Sequence, residues 1–325
     1  MSDLDPLVFA FDMSASGVKP LAWQDLQTDA FAGAGVRRWI HLDRMSEAGL
    51  AWLKQSRLVP EFICDILFQH ETRPRAFTHD DAVILNLRGV NLNEGHEPED
   101  LVSLRLYATE TLLVTTRAHK LATVDDLKRL VEQGKAPAGN ASMLVYLAHG
   151  ITGRLEDVSQ RLEEQVDALE DDMLDEDTPP PKLAVAEFRR AVLSLRRYIT
   201  PQREAVSSLL READDFLSDR DRLTLRETQD IVFRLSEQLD MVRERAIVLQ
   251  EQIIEIRAEA MNQRLFVLAI ISAIFLPLGF VTGLFGINVG GMPGVDSPAA
   301  FWVLCVVMLG LVGVLLLIFK KMKWL

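Results

Sequence analysis

The sequence predicts an α+β membrane protein, with a cytoplasmic α/β domain and a long stalk helix that continues into the first of two C-terminal transmembrane helices. Three observations predict it. Between Arg264 and Lys320 the only charged side chain is Asp296, whereas residues 1–264 carry almost every acid and base of the 325-residue chain. The first 120 or so residues are rich in β-branched and aromatic positions broken by turn signals. Beyond residue 140 the apolar positions fall at spacings of three and four, the helical interval. The divisions are an α/β domain over 1–140, a helical region with an acidic helix pair and the stalk over 141–264, spans over 265–286 and 299–319, an external loop over 287–298 and a basic cytoplasmic tail over 320–325.

In the first division, "LVFAFDM" (7–13), "VRRWIHLD" (36–43), "DAVILNLRGVNL" (81–92) and "LVSLRLYATETLLVTTRA" (101–118) read as strand segments, with "NEGHEPED" as a turn between the last two. "SEAGLAWLKQSR" (46–57) and "TVDDLKRLVEQG" (123–134) read as helices among them. A helix then runs from about residue 142 to the prolines of "TPPP" (178–181), which stop it, and a second covers 182 to about 213. The third helix begins near "SDRDRLTLRETQD" and meets no internal Pro or Gly before Pro277. At 1.5 Å per residue it would reach on the order of 100 Å. Along it Leu235, Leu239, Val242, Ala246, Leu249, Ile253, Ile256 and Ala260 alternate spacings of four and three, the seam of a helix packed lengthwise on another. Continuity with a span favours an intersubunit stalk over a bundle helix inside one subunit.

Each apolar run is long enough to cross a hydrocarbon core of roughly 30 Å. Arg257 and Arg264 flank the first span, Lys320, Lys321 and Lys323 follow the second, and the connecting loop has no Lys or Arg, so both termini are expected in the cytoplasm. The acidic start "MSDLDPLVFAFDM" has no basic n-region, and no cleavable signal is expected. The net charge of −12 argues against nucleic acid and fits a protein that handles cations. Cys64 and Cys305, the only cysteines, supply neither a disulfide framework nor a Cys-rich zinc site. Phosphate-binding Gly loops, nucleophile elbows and spaced ligand motifs are missing, so no enzyme and no cofactor is expected.

Two transmembrane helices cannot enclose an aqueous path, since side chains fill the space between them. Conduction therefore needs several copies around an axis. On the first span Asn262, Leu265, Ala269, Ser272, Leu276, Gly279, Gly283 and Gly286 form a stripe that is mostly small or weakly polar, against bulky Phe266, Ile270, Phe275 and Leu278. Small residues serve close helix packing or a pore lining, and periodicity fits both. Asn288 favours the second. In "GLFGINVGGMPG" (283–294) it ends the span among glycines, where a lone copy caps a turn but a ring of copies makes a collar of amide and carbonyl oxygens suited to a cation that keeps much of its water.

Here the sequence resembles the CorA superfamily of divalent-metal transporters. "GIN" at 286–288, after a first span and before a short loop, a second span and "KKMKWL", is similar to the Gly-Met-Asn signature of that family. Ile287 and the following "VGGMPG" look like the zinc-associated ZntB branch, as do "HETRPRAF" (70–77), "VILNLRGVNLNEG" (83–95), "EDLVSLRLYATETLLVTTR" (99–117) and "LRRYITPQREAVSSLL" (195–210). The resemblance spans essentially the whole chain. It implies a funnel-shaped homopentamer in a bacterial-type inner membrane, with the first span lining the pore, the second outside it, and Gly286, Ile287 and Asn288 at the external mouth. Zn2+ is then the implied transported substrate, with proton coupling as a property of the branch. The loop lacks the acidic segment of magnesium channels and has Asp296 as its only carboxylate, which sets a Mg2+/Co2+ channel second; a membrane-anchored scaffold is the reading from another class.

Zinc prefers Cys and His at tetrahedral geometry, yet the spans hold no His and Cys305 lies in the outer helix. The ion is expected to pass partly hydrated, with no dehydrated tetrahedral site and little selectivity among divalent ions. Cytoplasmic Glu163, Glu164, Asp167, Glu170, Asp171, Asp172 and Asp175 form a dense acidic helix face. It reads as an ordinary solvated surface or as a device that concentrates cations near the inner mouth. Pro277 frees the carbonyl of Ala273 and marks either a bend or a packed kink.

Overall fold

In the computed structural model of the chain, residues 5–70, 72–173, 181–213, 215–287, 294 and 296–322 are described. They divide into two compact units, Met1–Gln250 and Glu251–Leu325.

The first unit is built on a seven-stranded mixed sheet. Its strands are β1 (Leu7–Ser14), β2 (Gly17–Leu21), β3 (Arg37–Asp43), β4 (Arg75–His79), β5 (Ala82–Gly89), β6 (Val102–Ala108) and β7 (Leu112–Arg117), in the order β2-β1-β3-β7-β6-β5-β4. All neighbours are antiparallel except β3 and β7, which run parallel with Arg38 opposite Leu112 and Asp43 opposite Arg117. The helices are α1 (Trp23–Thr28), α2 (Glu47–Ser56), α3 (Glu61–Phe68), α4 (Ala122–Glu132), α5 (Asn140–Met173), α6 (Lys182–Glu212), α7 (Asp219–Gly286) and α8 (Ala300–Lys321).

Strand alternation sorts the sheet into two buried faces. Ile40, Leu42, Ile84, Tyr107 and Val114 share one core with Leu26 of α1, Leu53 of α2 and Ile63, Cys64 and Leu67 of α3. On the opposite face α5 meets β5 and β6. There Gly89 allows a close approach: a Cβ would lie 2.9 Å from Leu121 Cδ2 and 3.3 Å from Ile151 Cγ2, so those side chains would have to shift. The segment 101–118, read as one strand-rich stretch, is a hairpin turned at Thr109, whose backbone N–H donates to Leu112 O at 2.8 Å. The two strands that the sequence reading did not single out, β2 and β4, are the two edges of the sheet. Edge strands are half-solvated and short, so their apolar alternation is weak, and β2 carries Pro20 where no ladder bond is needed.

His41 sits wholly buried on β3, with Nδ1 2.7 Å from Thr115 Oγ1 and its ring stacked on Phe9 at 4.7 Å. Burial first, then the nearby Arg117 cation, hold its imidazole down to about 3. Its folded pKa therefore lies below its unfolded value near 6.5, so the unfolded chain takes up a proton that the folded one refuses. Stability is lost as the pH falls from 6.5 toward 3, by about 2 kcal/mol at about pH 5 from this group. Replacing His41 by Gln should flatten the acid limb of a melting-temperature against pH profile. An unchanged limb would remove His41 as its cause.

From Leu235 to Leu249 the long-helix seam turns out differently from the intersubunit expectation, whereas Ile256 and Ala260 at its far end are exposed. Leu235, Leu239, Val242, Ala246 and Leu249 are each 2 % exposed or less within a single chain. They join Leu155, Val158 and Leu162 of α5 and Val192, Leu195 and Ile199 of α6, also buried, as a three-helix core. Polar pairs around it tie α7 to both neighbours: His149 Nδ1 lies 3.1 Å from Thr228 Oγ1, and Gln229 Nε2 donates to Ser207 Oγ at 2.7 Å. A seam with four-three spacing specifies a helical partner without saying whose helix it is, and here α5 and α6 of the same chain satisfy it. Leu239→Ala should then cost about 2–5 kcal/mol, as cavities in closed cores do. Denaturant unfolding of the purified protein measures it; a loss below about 1 kcal/mol is inconsistent with that core.

Candidate ion pathway

The second unit contains the C-terminal part of α7 and all of α8, and both helices are long and apolar enough to cross a membrane. α7 continues as helix through Pro277, in agreement with an unbroken run into the span. Within the unit the half-buried positions of α7 are Ile270, Ala273, Ile274, Pro277, Leu278 and Val281, and those of α8 are Ala300, Leu304, Cys305, Met308, Leu311, Val312 and Leu315. Both sets recur at three and four, so each is one helix face. In a pair of helices, the shaded face of one is the face it turns to the other.

Asn262, Leu265, Ala269, Ser272, Leu276, Gly279, Gly283 and Gly286 are all exposed, at alternating spacings of three and four. At 3.6 residues per turn their mean direction lies about 150° from the shaded face of the same helix. The small residues are therefore not spent on packing α7 against α8. A Cβ added at Gly279, Gly283 or Gly286 meets nothing within 4 Å. The hydroxyls near this stripe are tied back to the helix, Ser272 Oγ donating to Leu268 O at 2.8 Å and Thr282 Oγ1 to Leu278 O at 3.0 Å.

α7 ends at Gly286, where its last carbonyls lack intrahelical partners and carry the negative end of the helix dipole. Ile287 follows, 52 % exposed. Asn288, the central residue of the expected collar, lies outside the described residues. Asp296 is exposed in the connecting segment, just before α8, whose last turn carries Lys320 and Lys321 against its own dipole.

The acidic face separates into distinct environments. Asp167 and Glu170 are both engaged by Arg245 of α7, whose Nε donates to Glu170 Oε1 at 2.8 Å. That guanidinium holds Glu170 below the usual carboxylate range. Glu164 accepts from Gln160 Nε2 at 3.1 Å. Glu163 is half-buried, Asp171 and Asp172 are exposed, and Asp175 lies outside the described residues. Two of the seven acids thus staple α5 to α7. Among the described residues no group of three or more His, Cys, Asp or Glu is disposed to hold a metal ion.

Sequence reading missed the inward extension of the stripe. Continuing the same interval from Asn262 and Leu265 reaches Ala258, Glu255 and Glu251, all exposed. The signal was available, since these positions follow the heptad already counted on the span. It was hidden because polarity rises sharply there and ordinary helix surface looks the same.

Comparison with known proteins gives a consistent picture. The family described as CorA-like Mg2+ transporter protein matches residues 35–321. The divalent cation transporter CmaX of Pseudomonas aeruginosa is 38% identical over 289 residues, which cover 88% of this chain and 87% of that protein. The zinc transport protein ZntB of Pectobacterium carotovorum subsp. carotovorum is 34% identical over 319 residues, 98% of this chain and 96% of the relative. The solved structure of full-length CmaX superposes with a TM-score of 0.82 at 35% identity, over 99% of each chain.

Proposed function

The chain belongs to the CorA-like Mg2+ transporter family, so it is a transporter and not an enzyme, and we propose that it carries divalent cations, Zn2+ foremost, along an axis shared by five copies. The observation that carries this reading is the exposed stripe of α7, small or weakly polar except at Leu265 and Leu276, turned away from α8 and running to the negative end of the helix at Gly286. Among the described residues of a single copy that stripe meets no partner. Around a common axis it becomes the wall of a narrow passage, and one Asn288 per subunit forms a neutral collar at its outer mouth. Amide and carbonyl oxygens hold a hydration shell by dipoles, firmly enough to admit a divalent ion and weakly enough to release it.

The inner approach is acidic. Glu255 and Glu251 repeat in every subunit on the line that leads to Asn262, and such rings raise the local cation concentration. Both termini are cytoplasmic in this arrangement, with Lys320 and Lys321 at the inner surface following the positive-inside rule. The membrane is the inner membrane of a bacterial-type cell. Zinc is preferred to magnesium on the 34% identity to a zinc transport protein across nearly the whole chain and on a connecting loop whose only carboxylate is Asp296. Proton-coupled uptake is part of the proposal. Since Asp296 is the only charged side chain between Arg264 and Lys320, protons would pass along water and not along a chain of buried carboxylates.

Purified protein in proteoliposomes tests all of this at once, with Zn2+ and Mg2+ uptake compared in the presence and absence of an inward proton gradient. Zn2+ flux above Mg2+ flux, increased by the gradient, is the expected result. Mg2+ flux exceeding Zn2+ flux would reassign the substrate, equal flux with and without the gradient would remove the coupling, and no flux of either ion would end the transport reading.

A further inference from the structure

A second polar site lies far along the chain from the span, at one end of the sheet. The parallel pair β3 and β7 ends at Asp43 and Arg117, and the residues just beyond, Arg44, Ala118 and His119, line a cavity of about 330 Å3. Arg88 at the end of β5, Ser103 at the start of β6, His96 from the connection between them and Tyr198 of α6 close it. That volume is at the lower end of small-molecule pockets, and the mouth of parallel strands is where α/β sheets place ligands.

The lining is basic in a protein whose net charge is −12. Arg88 is held firmly: its Nη1 donates to Leu101 O at 3.1 Å, its Nη2 to Thr72 O at 3.0 Å, and its guanidinium lies 4.6 Å from the Tyr198 ring centroid. Arg44 Nη1 donates to Gln69 O at 2.7 Å and His70 O at 2.8 Å, whereas its Nε is buried without a hydrogen-bond partner among the described residues. His96 and His119 stand with ring centroids 5.6 Å apart. Asp100 supplies a carboxylate to the wall.

Behind this lining the same sheet face carries a further cation. Arg105 lies two residues along β6 from Ser103, with Asn86 opposite it as Arg88 is opposite Ser103. It is 1 % exposed, and its Nε and Nη2 have no hydrogen-bond partner among the described residues. Burial, then Arg44, Arg88 and Arg75, push its guanidinium down to about 9. Burial and Arg88 lower Arg44 as well. Gathering guanidinium groups in a half-desolvated wall costs free energy that the negative charge of an anion in the cavity would offset.

We propose that this cavity between the end of the sheet and α6 binds a small phosphate-bearing anion, held by Arg44 and Arg88 with His96 and His119 at its rim. The site lies wholly within the first unit, and its occupancy braces α6 against β5, where Gln202 Oε1 already accepts from the Arg88 backbone N–H at 2.8 Å. Nothing in this inference depends on which cation is transported.

The test is calorimetric titration of inorganic phosphate into the purified full-length protein in detergent, at ionic strength fixed with chloride. One saturable site per chain is expected, with the dissociation constant raised at least about tenfold, the equivalent of 1.4 kcal/mol, by Arg44→Gln. Because Arg44 braces two loop carbonyls, His119→Glu is the second variant. His119 is exposed, so the exchange should leave the melting temperature unchanged while weakening phosphate to the same degree. No saturable heat, undiminished affinity in His119→Glu, tighter binding of citrate than of phosphate, or equal binding of chloride would each overturn the assignment.

Discussion

Asn288→Ala is expected to lower Zn2+ flux into proteoliposomes by at least about tenfold while the assembly still forms. The size follows from repetition. In the proposed collar each amide would give hydrogen bonds to a hydrated ion at about 0.5–1.5 kcal/mol apiece, and the exchange would remove one amide from every subunit at once. Two such bonds lost at the transfer barrier already give a factor of about ten. Asn288→Gln retains the amide but moves it by a methylene and should give an intermediate flux. Uptake by the Ala variant equal to that of the parent, at equal assembly, would place the selective step elsewhere.

The second large effect separates the two meanings of the small-residue stripe, helix packing and pore lining. With Cys305 replaced by Ser and Ser272 replaced by Cys, a membrane-impermeant cationic thiol reagent is expected to abolish more than about 90% of the flux, because one bulky cation per subunit would stand in the passage. The remaining thiol, Cys64, is fully buried in the α/β core and held up to about 11, chiefly by that burial. It stays protonated and inaccessible, so it does not confuse the readout. The same change at Ala273, on the half-buried face turned toward α8, is the control and should leave flux insensitive to the reagent. Equal protection of both positions would mean that the stripe is sealed in helix contacts, and the passage would have to be sought on another surface.

Much of this was legible in the chain. A helix that must cross lipid carries its evidence in composition, since any charge in the hydrocarbon core is costly, and the 55 positions between Arg264 and Lys320 hold just Asp296. Central strands were equally plain: β1, β3, β5, β6 and β7 are buried on both faces and therefore rich in branched apolar residues. The edges β2 and β4 were not, because a strand paired on one side is half-solvated and loses that signature. Short α1 and α3 were missed for a related reason, as six and eight residues make too few turns to display a period.

The stripe on α7 was also visible as spacing, but spacing measures direction around one helix axis and says nothing of what stands in that direction. Packing within the chain shows which of its own helices each face meets, and it does so in opposite senses along a single helix. The seam from Leu235 to Leu249 is consumed by α5 and α6 of the same chain, whereas the stripe from Asn262 to Gly286 faces away from α8 and is left exposed. Likewise Asp167 and Glu170 looked like free surface charge until Arg245, 75 residues beyond Glu170, was seen to bind both. The Arg44, Arg88 and Arg105 group has no sequence period at all. The chain by itself determined where lipid, sheet and long helices must be, because those depend on composition and short intervals. Which face meets which neighbour was decided by tertiary structure alone, since pairing between distant segments depends on how the whole unit closes.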